Sequence, residues 1–101
     1  MDKSIYAFKG EGVAGQVPNR RLGARHTLMI FAQSQSVESA EILAYRIAED
    51  NGWTLVVLQR GGEVNITPDE VHQPYLRSAL QGAMQGGSSI VTYEAELPPN
   101  T

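Results

Sequence analysis

The chain has no cysteine among its 101 residues. That excludes a disulfide framework, a thiolate nucleophile and a cysteine-based zinc site. No apolar run approaches the roughly 20 residues needed to span a bilayer, and the opening Met1-Asp-Lys-Ser-Ile lacks the basic start and apolar stretch of a secretory signal. The expectation is a soluble, cytoplasmic protein with no membrane attachment. A basic surplus is missing too: 8 basic side chains face 11 acidic ones, for a net charge of −3. Nucleic-acid binders normally show the opposite balance, and the base-stacking signature Lys/Arg-Gly-Phe/Tyr-Gly/Ala-Phe is absent. Nucleic acid is therefore not an expected partner, although Arg20, Arg21 and Arg25 cluster locally. There is no Gly-x-Ser-x-Gly elbow and no phosphate loop ending in Lys-Ser or Lys-Thr. The two histidines, His26 and His72, have no carboxylate at ligand spacing. No metal, cofactor or catalytic residue is assigned, and whether the chain is an enzyme stays open.

What is present is organised around residues 25–60. An apolar run, His26 to Gln33, precedes an amphipathic segment, Ser36 to Asn51, and a second apolar run, Trp53 to Gln59. This is the pattern of a βαβ unit. Ser36 is placed to cap the helix, Glu38 and Glu41 lie near its positive end, and Asn51-Gly52 ends it. Val37, Ala40, Leu43, Ala44, Ile47 and Ala48 form one apolar stripe. Both flanking strands are apolar on both faces. Such strands are usually covered on both faces, so something must supply a second cover.

Before this unit, residues 4–8 read as a short strand and residues 9–25 as a glycine-rich loop or arm, punctuated by Gly10, Gly12, Gly15, Pro18 and Gly23. Gly10-x-Gly12-x-x-Gly15 matches the dinucleotide-binding pattern in letters, but Pro18 and Gly23 leave no room for the helix that a phosphate site requires. After the unit, residues 63–67 are a possible short strand. Thr67-Pro-Asp-Glu70 is a capping box opening a single turn over 68–72. A second helix starts near Pro74, carries Leu76, Ala79, Leu80, Ala83 and Met84 on one stripe, and ends at Gly86-Gly87. Residues 88–97 form a half-exposed edge strand that stops at Pro98-Pro99.

The chain thus divides into an N-terminal strand and arm (1–25), one α/β domain (26–97) and a tail (98–101). The expected class is α/β, in the α+β sense: a two-layer sandwich with a βαβ(β)αβ core. The ferredoxin-like split arrangement is favoured over a three-stranded βαβαβ sheet. In the favoured version both helices lie on one face, and Met29, Phe31, Val56 and Leu58 line the other. An open apolar face of that kind rarely stays bare, which predicts a homodimer; another protein partner is the alternative cover. Arg60, His72 and Tyr75, with His26 as a further candidate, mark the expected ligand pocket near strand ends and loops. The resulting expectation is a small dimeric binding or interaction module. The alternative is a small enzyme with its site at the dimer interface or between sheet and helices.

Overall fold

A computed structural model describes residues 3–98. Among them, four strands form one sheet: β1 (Ser4–Ala14), β2 (Arg25–Ser34), β3 (Trp53–Glu63) and β4 (Ser88–Leu97). Two helices join them, α1 (Val37–Asp50) and α2 (Pro74–Gly86), with a 3-10 turn at Pro68–Glu70. The strand order is β3-β1-β2-β4, and every neighbouring pair is antiparallel. The α+β class with an open antiparallel sheet follows directly. The three-stranded βαβαβ alternative, which needs parallel neighbours, does not form. No helix among the described residues is long and apolar enough to cross a membrane.

The largest departure from expectation is β1. It does not stop at residue 8 but runs to Ala14 and occupies the inside of the sheet, paired with β2 on one side and β3 on the other. The expected glycine arm is therefore mostly strand, and residues 15–24 alone make the turn into β2. The glycines are present because β3 crosses very close. A Cβ on Gly10 would lie 2.2 Å from the Val57 carbonyl oxygen and 2.9 Å from the Leu58 Cα. The register slips at this point, between Lys9 and Gly10 and again between Glu11 and Val13. A bulge of this kind draws the backbones together and increases local twist. The glycine pattern thus reports strand crossing, not phosphate binding.

Helix α1 forms from local signals. The Ser36 hydroxyl accepts from the Ser39 N–H at 3.2 Å, the Asn51 amide donates to the Ile47 carbonyl at 2.7 Å, and Gly52 reverses the chain at φ 93°. Ala40, Ala44 and Ala48 are buried against the sheet, so the helix sits close on Phe8, Leu28, Ile30 and Trp53. Helix α2 packs on the opposite face, where Ala79, Leu80 and Ala83 meet Ile5 and Phe31. The ferredoxin-like, two-layer arrangement with both helices on one side is accordingly not what these contacts build. Neither do residues 64–67 form a strand; Val64 donates to the Ile5 carbonyl at 2.8 Å as the chain leaves β3.

This layering also corrects the expected dimer face. Val56 and Leu58 pack in the α1 layer, while Met29 and Phe31 pack under α2. The four residues do not share a face, because β1 lies between the two strands and the bulges in β3 reset its alternation. Phe31 is buried, and the second cover for the two-faced strand β2 is α2 of the same chain.

Candidate functional site

The site begins with the segment between β3 and α2. The capping box closes as the residues require: the Thr67 N–H and hydroxyl both donate to a Glu70 carboxylate oxygen at 3.1 Å. Pro68 opens the turn, and Pro74 starts α2 where no N–H is needed. Between them, Val71 turns its carbonyl to Arg77, whose Nε and Nη2 donate to it at 3.1 and 2.8 Å. That fork holds the 3-10 turn against the first turn of α2. A corner of fixed shape results, standing over the sheet beside Ala7, Met29 and Phe31.

Under this corner lies a cleft of about 330 Å³. Its floor is Ala7, Met29 and Phe31 from the sheet, and its walls are Val64, Ile66, Val71, Leu76 and Leu80. The polar residues lining it are Glu70, His72 and Gln73. Glu70 is committed to Thr67, which leaves His72, exposed at the surface, and Gln73 as the free polar groups at the cleft. Such a cleft can hold an apolar body and offer a hydrogen bond to one polar end.

A second, open recess of about 520 Å³ lies along β4, lined by Tyr75, Val91, Thr92, Tyr93, Glu94 and Ala95. The rings of Tyr75 and Tyr93 meet edge to face, with centroids 6.1 Å apart. Burial, and after it the neighbouring Tyr75 phenol, raises the Tyr93 hydroxyl above its ordinary pKa. No protein-family model, curated protein or solved structure matches this chain. Its function must therefore be argued from these features alone.

The expected site residues are dispersed. His72 lines the cleft, while Tyr75, one turn of backbone further on, belongs to the recess. Arg60 pairs with Lys9 through the backbone of β3, and its side chain lies outside the described residues. His26 is not part of either feature. It is 2% exposed in the α1 layer, edge-on to Trp53 at 5.6 Å, with Nδ1 at 2.8 Å from the Tyr93 carbonyl oxygen. Nδ1 therefore donates, and Nε2 has no partner among the described residues. The reason is alternation: His26 shares its strand face with Leu28 and Ile30, which point to α1. The arginine cluster is likewise turned inward on its own chain. Arg21 grips Glu96 at 2.8 and 3.2 Å, and Arg25 reaches Glu11 at 2.5 Å and the Pro98 carbonyl. The hydrogen bond from Arg21, more than any other cause, lowers the Glu96 pKa.

Sequence reasoning misses most of the cleft. Val64, Ile66 and Val71 are the available signal, being apolar residues in a stretch otherwise full of turn formers. Ala7, Met29 and Phe31 become part of the site only through sheet pairing.

Proposed function

We propose that this chain is a homodimeric binding module that takes a small apolar ligand into the cleft beneath the Val71–Leu76 corner. The cleft carries this reading. Its volume, about 330 Å³, falls within the roughly 300–1,000 Å³ of small-molecule sites, and it combines an apolar lining with few polar groups, as such sites do. The ligand this fits has an apolar body and one polar end that meets His72 or Gln73. Dimerisation is supported by the outer edge of β4, which has no neighbour among the described residues.

The test of the cleft uses anilinonaphthalene sulfonate, an apolar dye with an anionic group. Its fluorescence should rise on titration into the folded protein. Ala7→Phe, which fills the floor of the cleft, should weaken that binding about tenfold, a loss of roughly 1.4 kcal/mol, with the melting temperature retained. Equal dye binding by both proteins would remove the cleft from the proposal. Light scattering over a range of concentrations tests the dimer separately, and a single-chain mass throughout would remove it.

A further inference from the structure

The two edges of the sheet are not equivalent. The edge at β3 is blunted: the Tyr45 hydroxyl of α1 accepts from the Leu58 N–H at 3.1 Å, two register shifts break the strand, and Leu55 sits at φ 47°. These are devices that deter another strand from pairing. The edge at β4 has none of them over residues 88–92. Its register against β2 is regular from Ser88 to Thr92, and the sequence Ser-Ser-Ile-Val-Thr is uncharged and free of proline.

We infer that a second copy of this chain pairs on β4, strand against strand about a two-fold axis, giving a continuous eight-stranded sheet. This rests on the dimer reading above and specifies its interface. Charge favours this occupant. An antiparallel pair centred on Ile90 sets Ser88 opposite Thr92 and Ser89 opposite Val91, while Glu94 and Glu96 fall beyond the paired segment. No like charges meet, as they would if the acidic end were included. The asymmetry of the edges also sets the stoichiometry: with β3 closed, pairing is isologous and stops at two, whereas two open edges would permit a filament.

A strand pair of five residues is too small by itself for the roughly 800 Å² per partner of a stable interface. The remainder must come from what stands beside the edge. Tyr75 is 51% exposed there, at the lip of the 520 Å³ recess. A two-fold perpendicular to the sheet brings both α2 helices to the same face, so each Tyr75 lies next to the partner's copy of the recess. Tyr75 is thus the anchor of the contact, an aromatic side chain of the type that dominates interface energies.

The test is amide hydrogen exchange on the full chain at low and high protein concentration, with native mass measured in parallel. The outward amides of 88–92 should slow as the dimer fills, those of β3 should not, and Tyr75→Glu should weaken dimerisation by about tenfold or more. A dimer whose 88–92 amides exchange at a concentration-independent rate, or one indifferent to Tyr75→Glu, overturns this interface while the dimer stands. A single-chain mass at every concentration overturns both.

Discussion

Gly10→Ala decides whether the glycine-rich stretch is a strand locked under β3 or an arm in solvent. The new Cβ would lie 2.2 Å from the Val57 oxygen and 2.9 Å from the Leu58 Cα. Both are backbone atoms, so no side-chain rotation relieves the contact, and β3 must retreat by about an ångström to reach ordinary van der Waals distance. Overpacking of this kind costs roughly 1–3 kcal/mol, and the reduced freedom of the unfolded chain returns about 0.4–1 kcal/mol. The net loss is on the order of 1.5 kcal/mol, equivalent to a fall of roughly 6–12 °C in Tm for a domain of this size. Gly62→Ala is the control. A Cβ there meets nothing within 4 Å, so only the unfolded-state effect remains and Tm should hold or rise slightly. Calorimetry on the three proteins gives the comparison. Melting temperatures for Gly10→Ala and Gly62→Ala within about 2 °C of each other, less than 0.5 kcal/mol, would refute the strand crossing and return residues 9–14 to solvent.

Tyr45→Phe removes the acceptor for the Leu58 N–H and should cost about 0.5–1.5 kcal/mol, read as a lower urea midpoint at unchanged m; an unmoved midpoint would mean that water replaces the hydroxyl without loss. Leu80→Ala, at a side chain 1% exposed, should cost about 2–5 kcal/mol, whereas Met84→Ala on the same helix, 50% exposed, should fall below about 1 kcal/mol; thermal melts of equal depth would contradict the assignment of α2's buried face. Carboxyl titration by NMR should place Glu96 below the ordinary glutamate midpoint, and Arg21→Gln should move it back up. Because the folded pKa is the lower one, this pair contributes at neutral pH and its contribution disappears as pH falls through the Glu96 midpoint.

The parts of this fold legible in the sequence are those whose causes are local. Ser36, the alanine stripe and Asn51-Gly52 specify α1 within one stretch, and Thr67 to Pro74 specify the 3-10 turn and the start of α2. The two apolar faces of residues 28–32 also state their requirement plainly: two covers are needed. What the sequence does not disclose is the source of the second cover, because nothing local says that α2 returns to the face opposite α1. β1 is illegible for a related reason. Gly10 and Gly12 carry no side chain with which to show alternation, and the demand for them comes from Trp53 to Leu58, far along the chain. The cleft follows the same division. His72 stands out as a polar residue in a turn, whereas Phe31 and Ala7 look like ordinary core until β1, β2 and α2 are assembled around them.

The placement of β1 has a consequence for how the chain reaches this state. The strand made first is an inner strand of the sheet. Its flank toward β2 can zip as a hairpin once residue 34 exists, but its flank toward β3 pairs residues 4–14 with residues 53–63. Contacts so distant in sequence are closed late and slowly, after the chain entropy of the intervening loop has been overcome. A nascent chain that ends at α1 therefore presents a glycine-lined strand with an open hydrogen-bonding edge. Its exposure to misassembly during synthesis lasts until the ribosome delivers β3.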